Sequence, residues 1–126
     1  MTKNEELNSK EPEFFYTFYD NVSQSKALKT LLGYKVTILL CSKTVKHTGI
    51  VMYDKALKLD ICQQLGISMQ YLANELTRLR KDYIISVEGK KLMVNPIFFW
   101  YGHLRYRKEL ILTPSIQDRF NFKIED

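Results

Sequence analysis

The sequence predicts a mainly α fold with a small β-wing, which belongs to the α+β class, and three observations in its second half predict it. Two short runs with apolar residues at helical spacing lie on either side of residues 65–68. Two β-favouring runs then flank a glycine-containing turn at residues 88–91, which is typical of a hairpin. Helix, tight turn, helix and basic hairpin, in this order, are typical of a winged helix-turn-helix.

The N-terminal third is expected to contribute supporting elements. Residues 1–13 are polar and acidic, so we expect a flexible N-terminus. The aromatic run 14–19 favours a short strand or an interaction arm, which packs either on the domain's own helices or on a second protomer. Helices are predicted over residues 22–32, where Gly33 is expected to end the helix, and over residues 34–41.

The turn between the two paired helices has a suitable residue at each position. Asp54 is the expected N-cap of the first helix, which runs to Gln64. Gly66 can take the positive φ that ends a helix, and Ile67 is expected to plug the turn with apolar surface. The Ser68 hydroxyl can cap the second helix by accepting a hydrogen bond from an otherwise unpaired backbone N–H.

The second helix, residues 68–81, is predicted to have one apolar and one polar face. Leu72, Leu76 and Leu79, at spacings of four and three, form the buried face. The opposite face carries side chains of the kinds that read base edges in a major groove: Met69, Gln70, Tyr71, Ala73, Asn74, Thr77 and Arg78. The alternative is a solvated helix face in a protein-interaction module.

Several of these side chains have an expected role. Gln70 and Asn74 lie four residues apart, and an amide can form two hydrogen bonds with adenine. Arg78, one turn further on, can reach a phosphate or a guanine, while Tyr71 contacts DNA or packs over the turn. Glu75 would repel phosphate, so we expect it to face the interior or a neighbouring lysine.

The wing, residues 86–93, carries two lysines at its tip, and a strand over residues 50–52 is expected to pair with it. Lys90 and Lys91 are candidates for phosphate or minor-groove contact, the alternative being an ordinary solvated turn. Three further cations either extend this phosphate track or stack on the second aromatic run, residues 97–103: Arg105, Arg107 and Lys108.

The composition is that of one globular domain, expected over residues 14–112, with a C-terminal segment over residues 113–126. That segment is predicted to be an amphipathic helix that forms either a dimer interface or a lid over the protein's own core. The formal net charge of +5 suits a polyanionic partner without identifying it. The polar start and the short apolar runs indicate neither a signal peptide nor a membrane span, so a cytoplasmic location is expected.

No catalytic, metal or cofactor site is predicted. Cys41 and Cys62 are expected to be buried free thiols. His47 and His103 are far apart in the sequence, and neither lies in a run with metal-ligand spacing. The chain also has no glycine-rich phosphate loop and no recognisable arrangement of serine, histidine and aspartate, so we expect no enzymatic activity.

A family resemblance rests on residues 65–68, the helix to Arg80, the strand at 83–85 and the run 93–102, which reads MVNPIFFWYG. Together they resemble the RepL-type plasmid replication proteins of Firmicutes, in which a winged helix ends in an apolar-Asn-Pro segment followed by aromatic residues, Trp and Gly. The resemblance covers roughly residues 33–108. It implies a cytoplasmic, sequence-specific DNA-binding initiator of plasmid replication or maintenance.

The expected function is therefore sequence-specific binding of double-stranded DNA by a homodimer. The helix over residues 68–81 would enter a major groove, and the wing would contact the backbone. The predicted DNA-binding residues are Ser68, Met69, Gln70, Tyr71, Asn74, Thr77, Arg78, Lys90 and Lys91. Two alternatives remain open, a winged-helix transcriptional regulator and a winged-helix protein–protein interaction module.

Overall fold

A computed structural model describes residues 15–124 of the chain, so the predicted flexible segment 1–13 and Phe14 lie outside the described residues. The fold is α+β, with short helices and two small antiparallel sheets. The helices are α1 (Tyr19–Gln24), α2 (Leu31–Cys41), α3 (Lys55–Leu65), α4 (Met69–Lys81), α5 (Leu104–Ile111) and α6 (Pro114–Phe120). The strands are β1 (Tyr16–Thr17), β2 (Ile50–Met52), β3 (Ile85–Glu88), β4 (Lys91–Val94) and β5 (Phe99–Trp100).

The larger sheet joins the hairpin to a strand that precedes the helix pair. Its order is β2-β4-β3, with Ile50 opposite Met93 and Ile85 opposite Val94. The predicted pairing of residues 50–52 with the wing is confirmed. Because β2 lies between α2 and α3 in the chain, this pairing fixes the hairpin against the helical part of the domain.

Strand β3 begins later than predicted, because residues 83 and 84 close helix α4 instead of extending the sheet. Tyr83 has a φ of +58°, and its N–H donates to the Arg80 carbonyl. The Ile84 N–H donates to the Leu79 carbonyl at 2.9 Å. These bonds satisfy carbonyls of the last helical turn, as in other left-handed helix ends.

The predicted helix over residues 22–32 is wrong, because a contact from the far end of α4 interrupts it. Helix α1 ends at Gln24, and a separate 3₁₀ turn spans Ala27–Lys29. The Asp82 carboxylate accepts hydrogen bonds from the Ser25 hydroxyl at 2.6 Å and from the Ala27 N–H at 3.1 Å. A carboxylate 55 residues away in the sequence therefore satisfies backbone and side-chain groups at the break.

Gly33 does not end a helix, contrary to prediction, but lies in the first turn of α2. The Thr30 hydroxyl caps this helix by accepting the Gly33 N–H at 3.1 Å. A Cβ at position 33 would overlap the Ala27 carbonyl oxygen, so only glycine lets the 3₁₀ turn pack this closely on the helix. The predicted helix over residues 34–41 is confirmed from that turn onward, with Val36 and Leu40 fully buried.

The signals around the paired helices are confirmed. The Asp54 carboxylate accepts the Leu57 N–H at 2.9 Å at the start of α3, and Gly66 ends this helix with a φ of +66°. The Ser68 hydroxyl accepts the Tyr71 N–H at 3.0 Å at the start of α4. Three leucines of α4 are buried in the main core, as predicted: Leu72, Leu76 and Leu79.

Both cysteines are buried free thiols, as predicted. Burial raises the pKa of the Cys41 thiol to about 12, so this thiol stays protonated at neutral pH. Since the thiolate is the reactive form, Cys41 acts as a small apolar core residue.

The first aromatic run packs on its own domain. Strand β1 pairs with β5, and the Phe15 ring meets the buried Phe99 ring edge-on at a centroid distance of 6.2 Å. The Arg107 guanidinium lies 3.6 Å from the centroid of the Phe18 ring and donates to the Pro96 carbonyl at 2.7 Å. Arg107 therefore stacks on a ring of the first aromatic run and not on the second run, residues 97–103, as predicted, and burial lowers its pKa.

Helix α6 of the C-terminal segment packs on the wing sheet of its own chain. Ile116 and Phe120 of α6 form a second small core with Met93 of β4. Arg119 of the same helix reaches the Glu88 carboxylate at 3.4 Å. Helix α6 ends at Phe120, followed by Asn121 in a left-handed conformation, so the predicted helix is shorter than the segment 113–126.

Asn95 joins the end of α4 to the end of the hairpin. Its side chain is fully buried and donates to the Tyr83 carbonyl at 2.8 Å, and its own backbone N–H donates to the Ile84 carbonyl at 2.8 Å. Its side-chain oxygen accepts the Ile97 N–H at 3.1 Å. One asparagine therefore connects α4, β4 and the segment that leads to β5.

We expect the substitution Asn95→Ala to lower the free energy of unfolding by about 2–3 kcal/mol, because it removes the partners of the Tyr83 carbonyl and the Ile97 N–H. Urea denaturation followed by circular dichroism measures the change. The control is Asn21→Ala, which removes an exposed amide that donates to the Ile97 carbonyl at 2.9 Å and should cost under about 1 kcal/mol. Equal effects of the two substitutions would contradict this role of Asn95.

Candidate nucleic-acid interface

The outer face of α4 is an exposed polar stripe. Its members lie three or four residues apart, opposite the buried leucines, and each is exposed: Gln70, Asn74, Thr77 and Lys81. The periodicity of the sequence predicted the first three as reading residues. For Lys81 the sequence left two roles open, phosphate contact and an electrostatic role at the helix C-terminus, and its spacing of four from Thr77 places it on the same stripe.

The two amides of this stripe bond to each other. The Gln70 side-chain N–H donates to the Asn74 side-chain oxygen at 3.1 Å. Among the described residues, the Gln70 side-chain oxygen and the Asn74 NH₂ group have no other hydrogen-bond partner, so an acceptor and donors remain for a ligand. The pair therefore lies on the surface with unused hydrogen-bonding capacity.

Other predicted contact residues have partners within the chain. The Ser68 hydroxyl serves as the helix cap, and the Thr77 hydroxyl donates to the Ala73 carbonyl at 3.1 Å. The Met69 sulfur lies 3.6 Å from the Cys62 sulfur on α3. The Tyr71 side chain is exposed beside the stripe. Ser68 and Met69 thus support the turn, and the surface available to a ligand is centred on Gln70 and Asn74.

Arg78 is engaged in an ion pair with a buried carboxylate. Its Nη1 lies 2.7 Å from the Glu75 Oε1, and only 8% of the Glu75 side chain is exposed. The other Glu75 oxygen, Oε2, is buried and has no hydrogen-bond partner among the described residues. Glu75 faces the interior, as predicted, but its cationic partner is Arg78 and not a lysine. A buried carboxylate needs this charge, so Arg78 is held by its own helix.

The wing presents its lysines on a two-residue turn. Gly89 occupies the first turn position with a φ of +58°, and Lys90 follows it. Both Lys90 and Lys91 are exposed, while the Tyr53 N–H donates to the Lys90 carbonyl at 2.7 Å. The backbone of the wing tip is thus fastened to the residue before the Asp54 cap, with Lys90 in the turn and Lys91 at the start of β4.

Wing and helix are therefore held in a defined relation to each other. Asn95 and Ile84 connect the end of α4 to the end of the hairpin, and the bond between Tyr53 and Lys90 connects the wing tip to the start of α3. The helix face offers hydrogen-bonding side chains, and the wing tip offers cations. Base edges and phosphates of duplex DNA offer matching groups.

His47 and His103 are far apart in the sequence, and the structure brings them together. Their rings stack with centroids 5.1 Å apart and an angle of 9° between planes. The His103 backbone N–H donates to the His47 Nδ1 at 2.9 Å, and the Tyr106 ring lies 4.6 Å from that of His47. Because Nδ1 already accepts a hydrogen bond, the geometry is that of a packed junction between the loop before β2 and the start of α5.

We expect Arg78→Ala to lower the free energy of unfolding by about 1–3 kcal/mol, because it leaves the Glu75 carboxylate buried without a counter-charge. This value lies below that of a fully buried pair, since 44% of the Arg78 side chain is exposed and water screens part of the interaction. Arg80→Ala, an exposed arginine of the same helix, is the control and should change stability by less than about 0.5 kcal/mol. If Arg78→Ala and Arg80→Ala had the same midpoint of urea denaturation, the structural role of Arg78 would be refuted.

Comparisons with known proteins do not identify a family for this chain. No protein-family model, curated protein or solved structure gives a significant match. Among residues 15–124, no helix is both long and apolar enough to cross a bilayer. The resemblance to RepL-type proteins stays a prediction.

Proposed function

We propose that this protein binds double-stranded DNA sequence-specifically as a winged helix-turn-helix protein. The order of its elements supports the proposal: α2, β2, α3, a turn at Gly66, α4 and the β3–β4 hairpin. The sheet order β2-β4-β3 also supports it, because the strand before the helix pair completes the sheet of the wing. Helix α4 would be the recognition helix.

The observation that carries the proposal is the exposed polar stripe of α4 together with the anchored basic turn. A helix fits the major groove, and amide side chains there can pair with base edges. Lys90 and Lys91 would contact phosphates on the flanking backbone. Since the Asn95 and Tyr53 hydrogen bonds fix the wing relative to α4, both contacts would form without rearrangement of the fold.

The proposed biological role is initiation or maintenance of plasmid replication, which the resemblance to RepL-type proteins supports. Transcriptional regulation is the alternative role for the same surface. A homodimer is part of the proposal, with two subunits reading two half-sites about one helical turn apart.

The test is fluorescence anisotropy with a labelled random duplex over a series of salt concentrations. We expect micromolar binding that weakens steeply with salt. The double substitution Lys90→Ala with Lys91→Ala should reduce the slope of log K against log salt by about 2, because each lost phosphate contact contributes roughly 0.9. It should weaken binding to all sequences alike.

The matched control replaces two exposed lysines outside the α4 stripe and the wing, Lys29→Ala with Lys35→Ala. These lie in the 3₁₀ turn and in α2, whose buried side packs toward α4, so the salt slope should be unchanged. No salt-dependent affinity in the unsubstituted protein would refute DNA binding. That result would favour the protein-interaction module instead.

A further inference from the structure

We infer that the α4 stripe selects A·T base pairs at neighbouring positions of the major groove, with Gln70 and Asn74 as the specificity-determining residues. This inference rests on the proposed function and adds the identity of the bases that the helix prefers. Three observations carry it: the position of the two amides, the hydrogen bond between them and the sequestration of Arg78.

The amides occupy the part of the helix that reaches base edges. Gln70 and Asn74 are the second and sixth residues of α4, and recognition helices contact bases mainly through their N-terminal residues. Four residues of α-helix rise about 6 Å. This rise is nearly two base-pair steps of about 3.4 Å, but the 3.1 Å bond between the two amides places their ends about one step apart, so they can reach neighbouring base pairs.

The chemistry of an amide matches adenine. In the major groove adenine presents the N7 acceptor beside the N6 donor, and an amide offers one donor and one acceptor in the same plane. The bond of 3.1 Å between Gln70 and Asn74 restrains both side chains before DNA arrives. Less side-chain entropy is then lost on binding, which favours the partner that matches this arrangement.

The side chain best suited to read guanine is held elsewhere. Guanine offers two acceptors, which arginine contacts through two N–H donors. Arg78 is bound to the buried Glu75 carboxylate at 2.7 Å, and the remaining Glu75 oxygen has no other partner among the described residues. Moving Arg78 to a base would leave that carboxylate uncompensated. Arg80 and Lys81 lie with Arg78 in the last turn, away from the reading end.

The test begins with selection of binding sites by the full chain from a randomised duplex library. We expect the selected sites to share A·T pairs at two neighbouring positions. Replacing either pair by G·C in a selected site should weaken binding roughly 5- to 150-fold. Asn74→Ala and Gln70→Ala should each remove the discrimination at one of these positions and keep the salt slope.

The matched control is Gln64→Ala. Gln64 is an exposed glutamine that also bonds a residue four positions away, donating to the Asp60 carboxylate at 2.9 Å, but it lies on α3. Its loss should leave the base preference unchanged. If Gln64→Ala flattened the preference as strongly as Asn74→Ala, the assignment of the reading residues would be wrong.

A second variant tests the sequestration of Arg78 without leaving a buried charge. Glu75→Gln with Arg78→Gln replaces the ion pair by a neutral pair of similar size, and we expect the A·T preference to persist. If the unsubstituted protein selected G·C-rich sites and the double variant lost this preference, Arg78 would be reading guanine and the inference would be overturned. A clear preference for other base pairs would also overturn it but leave the proposed function intact. Salt-dependent binding without any base preference would contradict the sequence-specific part of that function as well, and absence of binding would refute both.

Discussion

The hydrogen bonds of the buried Asn95 side chain are the constraint on which the arrangement of helix α4 and the wing depends. The Asn95 side chain donates to the Tyr83 carbonyl at the end of α4 and accepts the Ile97 N–H beyond the hairpin. A buried amide stabilises only the geometry in which its donor and acceptor are both satisfied, and leaving either unpaired costs about 1–3 kcal/mol. Pro96 follows directly and cannot continue the ladder, so the sheet ends where the amide joins the helix.

Local sequence signals were sufficient to predict the elements around the paired helices. They did not predict features that depend on contacts between residues far apart in the sequence. Asp54, Gly66 and Ser68 act on backbone groups within four residues, and their predicted roles were confirmed. Gly33 has the same local appearance as a helix-ending glycine, but its role depends on the approach of the Ala27 carbonyl. The stacking of His47 on His103 joins residues 56 apart, and no spacing rule predicts such a contact.

The candidate site was predictable as a surface but not as a set of available side chains. Periodicity separates the polar face of α4 from its leucines, because it depends only on helix geometry. It does not show that Met69 turns toward Cys62 or that Glu75 holds Arg78, since both depend on which neighbours are buried. Gln70 and Asn74 were found from the sequence because their spacing and exposure are properties of the helix alone.

The Glu75–Arg78 pair has opposite consequences for stability and for recognition. A buried carboxylate with one unpaired oxygen is a weak source of stability, and an apolar residue of similar volume would often serve the core as well. An unrestrained arginine at position 78 would, however, present a mobile cation beside the groove. Such a cation would strengthen binding to phosphates in every sequence and could pair with guanine, so it would reduce the difference between right and wrong sites. Holding Arg78 on Glu75 leaves base discrimination in the proposed complex to the neutral amides.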